Sequence, residues 1–271
     1  MNIIQRNFFR LLRSGALNEY EALEPMSHYK WHQLARLVES QGVSDIAAKG
    51  VRNHTFDQQA NFPPAYAEEI ADLHSNDSSE PKATSAPAHL SNRILNRRLR
   101  KIQQGERHEI DASMTTLELL NIIVRNISHI LNQGISLSGI SQLGSFLRTK
   151  GDKVDFVKLE GWLKRLHIQR MAQLEGSILI AIFEFDQDEI PFVAQVEKEA
   201  YPLILRTLKH TTSDTTEEWH FRQGRTGFVQ NNSRIMRRNL RRSIRYINFA
   251  PIETSSNFLN NFARSLSEIE E

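Results

Sequence analysis

The sequence predicts an all-α protein, an irregular helical bundle with a flexible linker near residues 74–89. Three observations carry this expectation. Apolar residues recur at spacings of three and four along most of the chain, which is the period of one helix face. Alternating apolar and polar runs are nearly absent, and the one β-tempting stretch, residues 178–185, continues the helical stripe of Met171, Leu174, Ile178 and Ile182. No internal period is visible, so a stacked repeat array is not expected.

Residues 2–49 read as two or three short helices. Phe8, Leu11 and Leu12 fall at helical spacing, with Gly15 as the expected stop. Ser27 then precedes Trp31, Leu34, Leu37 and Val38, whose spacing makes one apolar stripe. Gln41-Gly42 closes it, and a last turn is expected over residues 44–48. Beyond residue 53 the character changes: Pro63-Pro64 leads into one short helical stretch, residues 65–73. Residues 74–89 (HSNDSSEPKATSAPAH) then offer almost nothing to bury and read as a linker. The expected organisation is an N-terminal helical segment over 1–73, the linker over 74–89, and a main helical domain over 90–271.

Past Leu90 the helical period returns. Ile94, Leu95, Leu99 and Ile102 form a stripe among Arg93, Arg97, Arg98, Arg100 and Lys101. Residues 113–132 carry Leu117, Leu120, Ile123, Val124, Ile127, Ile130 and Leu131, with Asp111 or Ser113 as cap and Gly134 as terminator. Further helices are expected over 137–147, 155–166, 167–185, 191–210, 214–221, 233–249 and 255–269.

A chain of 271 residues, 39% hydrophobic and 24% charged, can bury a substantial core. Its formal charge of only +2 gives no whole-molecule field, so any electrostatic function must come from local clustering. The absence of cysteine excludes disulfides, thiolate metal sites and a cysteine nucleophile. Near the N-terminus Arg6 and Arg10 interrupt Ile3, Ile4, Phe8 and Phe9, so no signal-peptide core is expected. The longest apolar run, residues 177–183, falls far short of the roughly 20 residues that span a bilayer. A cytoplasmic protein without a transmembrane segment is expected, with peripheral membrane contact left open.

The most distinctive feature is the helix expected over 233–249. Arg234, Arg237, Arg238, Arg241, Arg242 and Arg245 share one broad face at about 100° per residue, while Met236, Leu240, Ile244 and Ile247 take the other side. No acidic residue occurs from Gln223 to Ile252. Guanidinium groups suit phosphates and carboxylates because they donate two parallel hydrogen bonds. This face is therefore the candidate anion-binding site, for a phosphorylated ligand, nucleic acid, anionic lipid or acidic protein surface. The alternative is that carboxylates from other helices neutralise it inside the fold.

Other clusters have bland readings. Glu184, Asp186, Asp188 and Glu189 form an acidic loop, but without the glycine and ligand spacing of a calcium loop. Glu109 and Asp111 have the carboxylate–apolar–carboxylate spacing that holds a divalent metal from a strand; here they precede a helix, and Asp111 is a cap candidate. Glu217, Glu218, Trp219, His220 and Arg222 could line a pocket or sit on a helix with Trp219 buried. Gly224-Arg225-Thr226-Gly227 is a turn without the spacing or lysine of a phosphate-binding loop.

Three stretches resemble the Bacteroidetes-type uncharacterised nucleotidyltransferase family, whose members often accompany surface-polysaccharide genes. NFFRLLRSG…WHQLARLVESQGV (residues 7–43) is similar to the family's opening helices. GISLSGISQLGSFLRTKGDKVDFVKLEGWL (134–163) is similar to its glycine-led segment, and the arginine helix with APIETSSNF (250–258) to its C-terminal end. Together these cover about two thirds of the chain. The departures concern catalysis. The family keeps a small sheet with a Gly-Asp-Ile-Asp type metal motif where residues 53–108 are here mostly linker, and Glu109-Ile110-Asp111 is the only echo of it. The arginine and aspartate of the glycine-led segment stand here as Ser138 and Gln142. The resemblance thus implies a nucleotidyltransferase-like helical scaffold without nucleotide transfer. The leading expectation is a non-catalytic protein, needing no cofactor, that binds an anionic partner through its arginine helix. The alternatives are a magnesium-dependent nucleotidyltransferase with a divergent site at Glu109 and Asp111, and a structural subunit of an assembly.

Overall fold

Twelve α-helices and no strand occur among the described residues, which in this computed structural model are 1–75, 88–106, 112–209 and 232–267. The all-α expectation is met. The linker expectation falls largely on residues outside the described ones; at its near end, His74 and Ser75 belong to a helix.

The first helix, α1 (Ile3–Leu17), starts in a reciprocal cap: Gln5 N donates to the Asn2 side chain at 2.9 Å, and Asn2 N donates to the Gln5 side chain at 3.0 Å. It does not stop at Gly15. That glycine sits inside the helix at a crossing with α3 (Ser44–Asn53), where a Cβ would lie 1.8 Å from the Ile46 carbonyl oxygen. Gly50 of α3 answers it, since a Cβ there would lie 2.2 Å from the Leu11 carbonyl oxygen. The two backbones touch, and only hydrogen side chains permit it. The helix ends instead at Asn18, in the left-handed region with φ 62°.

Between them, α2 (His28–Ser40) buries Trp31, Leu34, Ala35 and Val38 and closes at Gly42 with φ 61°. The turn expected over 44–48 is the full helix α3, drawn out by the crossing and by Asn53, whose amide donates to the Ser14 carbonyl at 3.0 Å. In α4 (Tyr66–Ser75) the Tyr66 hydroxyl donates to the Trp31 carbonyl at 2.7 Å, and both rings pack with Phe62.

The centre is α6 (Ala112–Asn132), apolar around nearly its whole circumference and correspondingly enclosed. Around it lie α7 (Leu137–Lys150), α8 (Phe156–Arg165) and α9 (Gln169–Phe183), and α5 (Arg93–Gly105) reaches it through Gln103 Nε2, which donates to Asn121 Oδ1 at 2.9 Å. Asn92, Ser136 and Asp155 cap α5, α7 and α8 with their side chains. Helix α1 packs on both α7 and α9, and the buried apolar residues form one continuous core.

Residues 191–199, expected to be helical, are not; α10 begins only at Ala200 (Ala200–Thr207). The segment lies across α9 at Gly176, where a Cβ would meet Val193 Cγ2 at 2.3 Å. Gln187 Nε2 donates to the Val193 carbonyl at 3.0 Å, and Glu197 N donates to Ser177 Oγ at 2.9 Å. Burying Ile190, Phe192 and Val193 in this way outweighs local helix propensity. The chain ends with a hairpin of α11 (Asn232–Tyr246) and α12 (Pro251–Ser267) against α6. No helix among the described residues is long and apolar enough to cross a membrane.

Candidate functional site

Helix α11 carries two apolar faces, and the larger one decides its orientation. Tyr246, Phe249 and Ala250, in and just after the last turn, are buried. The turn into α12 is clamped by Arg170, which lies 5.1 Å over the Phe249 ring and donates to the Asn248 carbonyl at 3.0 Å. The aliphatic side is consequently turned out: Leu240, Ile244 and Ile247 are 42%, 60% and 40% exposed.

The six sequence-selected arginines therefore have different fates. Arg242 is buried, and its guanidinium donates to the carbonyl of Asn132, the last residue of α6. There it supplies a cation and a donor to the negative end of a helix. Two asparagines of α12 serve the same end: Asn261 bonds the Asn132 side chain at 3.0 Å, and Asn257 reaches the Leu131 carbonyl at 3.5 Å. Arg238 and Arg245 are half-buried. Burial holds the Tyr246 phenol above its usual value, against the lowering pull of Arg245, Arg242 and Arg206. Arg237 and Arg241 are exposed, and among the described residues neither pairs with a carboxylate. The Arg234 side chain lies outside the described ones.

The nearest acidic residue in sequence, Glu253, is turned away. Its carboxylate is buried at the start of α5, where it accepts from Ser91 N and, at 3.1 Å, from Asn92 N. The exposed edge of α11 thus carries positive charge beside aliphatic surface, without a neighbouring anion in its own helix or turn.

The arginines of α1 show the opposite arrangement. Arg6 grips Glu24 with two bonds of 2.6 and 2.7 Å, Arg10 meets Glu21 at 2.5 Å, and Arg13 bridges Glu21 and Glu184. They line a cleft of about 160 Å³ together with Glu21 and Glu184, while Glu24 pairs with Arg6 and Arg10. The hydrogen bond from Arg6 leads in holding the Glu24 carboxyl below its ordinary value. The acidic loop is absorbed in the same way: Glu184 pairs with Arg13, Glu189 pairs with Arg148, and Asp186 with Glu189 caps a 3-10 turn.

Sequence reading missed one unusual group. Glu175 of α9 is wholly buried, and its single hydrogen bond comes from Asn126 Nδ2 at 3.0 Å. The same amide donates to the Gly139 carbonyl at 3.1 Å, while Glu175 Oε1 has no hydrogen-bond partner among the described residues. Burial pushes the Glu175 carboxyl well above the ordinary range, only partly offset by Asn126. The available signal was position: Glu175 follows Met171 by one turn, inside the stripe that also holds Leu174 and Ile178.

Glu109 and Asp111 lie outside the described residues, as do Glu217, Glu218, Trp219, His220, Arg222 and the turn from Gly224 to Gly227. Among the described residues, no three metal-ligating side chains gather to hold a metal ion. No family model, no curated protein and no solved structure matches the chain.

Proposed function

We propose that this protein acts by binding an anionic partner through the exposed edge of α11, with Arg237 and Arg241 as its principal contacts. The observation that carries the reading is the contrast between the two arginine helices. The cations of α1 are matched by glutamates, whereas Arg237 and Arg241 on the outer edge of α11 meet solvent, and Glu253, the nearest acidic residue in sequence, is bonded at the start of α5 instead. Arg238 and Arg245, half-buried on the same side, add to the local potential. Arg242 has no part in this surface because it holds the end of α6.

The test is binding to heparin, poly-glutamate and short oligonucleotides over a range of salt. Exposed charge contacts are screened over ~8 Å at physiological ionic strength, so affinity falls as salt rises. The double substitution Arg237→Glu with Arg241→Glu lowers affinity for the bound probe by about tenfold or more. Unchanged affinity for every probe would overturn the proposal. Both side chains are exposed, so a matching thermal melt should confirm that the variant is folded.

A further inference from the structure

Resting on that reading, we infer that the partner is a protein segment: an amphipathic helix whose apolar stripe is bordered along one edge by acidic residues. The ground is the juxtaposition of Arg237 and Arg241 with Leu240 and Ile244 on α11 and with Ile247 in the turn just after it, all exposed. A phosphorylated small molecule or a nucleic-acid backbone gains from the arginines but leaves three aliphatic side chains in water. An exposed contiguous apolar strip edged by charge marks a surface made to be covered.

The distribution of charge selects among covers. At about 100° per residue, Arg237 and Arg241 lie on one edge of the aliphatic stripe, with Arg245 further round the same side. The opposite edge carries Asn239 and Ser243, which are uncharged. A helix lying in an anionic bilayer surface meets headgroups along both edges, and its cations serve it best on both. A one-sided basic edge matches instead a partner helix laid alongside, whose apolar stripe covers Leu240 and Ile244 and whose acidic edge faces the arginines. This is the flanking-charge logic of paired helices. Glutamate and aspartate at one helical turn's spacing would reach Arg237 and Arg241 together, since these too are one turn apart.

The experiment uses the full chain and a labelled peptide of about 18 residues with leucine on one stripe and glutamate along one adjoining edge. Its controls are a scrambled peptide of the same composition and vesicles of phosphatidylcholine with about one-third phosphatidylserine. The amphipathic peptide is expected to bind at least about tenfold more tightly than its scramble. The pair Leu240→Ser and Ile244→Ser should abolish that preference, and a peptide with lysine for glutamate should bind the Arg237→Glu, Arg241→Glu chain better than the native one. Equal binding of amphipathic and scrambled peptides overturns the inference while leaving general anion binding standing. Vesicle binding without peptide binding also overturns it, in favour of a lipid surface. Loss of neither probe on arginine reversal removes the underlying reading as well.

Discussion

Replacing Glu175 by glutamine isolates the cost of burying an acid in the core between α6, α7 and α9. Burial raises this carboxyl well above the ordinary carboxylate range in the folded protein, with a side-chain hydrogen bond from Asn126 and no ion pair among the described residues. The unfolded chain ionises it near 4.5. The sign follows from that difference: the folded state binds the proton more tightly, so stability is greatest below the unfolded value and falls as pH rises above it. Each pH unit above the unfolded value costs about 1.4 kcal/mol until the raised folded value is reached. Glutamine carries no charge at any pH and can still accept from Asn126. Its added amide hydrogens bring a penalty of about 1–3 kcal/mol if they find no acceptor. Glu175→Gln should therefore gain on the native protein steadily as pH rises from 5 to 7 in urea unfolding experiments. At pH 5 the two should differ little or favour the native chain. A stability difference that stays constant over that interval would show that Glu175 is not held neutral, and the reasoning would be wrong.

Two further outcomes test the packing and the helix ends. Gly15→Ala or Gly50→Ala should cost about 3 kcal/mol or more, because the new methyl meets backbone that cannot step aside, whereas Gly161→Ala, in open space on α8, should stabilise by up to about 1 kcal/mol; chemical denaturation reads both. Arg242→Ala should lower stability by about 2 kcal/mol through the exposed end of α6, while Arg241→Ala, one residue away, about 100° round the helix and facing water, should change the thermal midpoint by no more than the scatter of an ordinary surface substitution.

Helix periodicity made the all-α class legible, and Gly42 and Gly134, read as terminators, have positive φ at helix ends; the side-chain caps at Asn92, Ser136 and Asp155 emerge only with the structure. What sequence could not show was which contacts a residue would meet. Gly15 reads as a terminator because glycine usually ends helices, yet its use depends on Gly50, 35 positions later, approaching the same point. Pro191 opens what looks like a helix, but Gly176 leaves a space on α9 that Val193 fills. The arginines of α11 were visible as a group. Their division into a buried cap for α6 and an exposed edge depends on Tyr246 and Phe249 docking, which competes with an aliphatic stripe of similar periodicity. Glu175 shows the converse: one acid in an apolar stripe looks like an exception until its burial is known.

The bond from Glu253 to the start of α5 spans 162 positions, and Ser91 Oγ reaches Asn257 across 166. On a ribosome, the Ser91 and Asn92 amides just ahead of α5 are therefore made without their acceptor, and they stay so while everything up to the start of α12 is synthesised, whereas Asn92 itself serves Ile94 N and Leu95 N locally. The same delay applies to the end of α6, whose last carbonyl waits 110 positions for Arg242. Contacts this distant in sequence form late. Thus the hairpin that carries the outward arginines also completes contacts at the start of α5 and the end of α6, and a nascent chain presents that arginine edge only when its interior has closed.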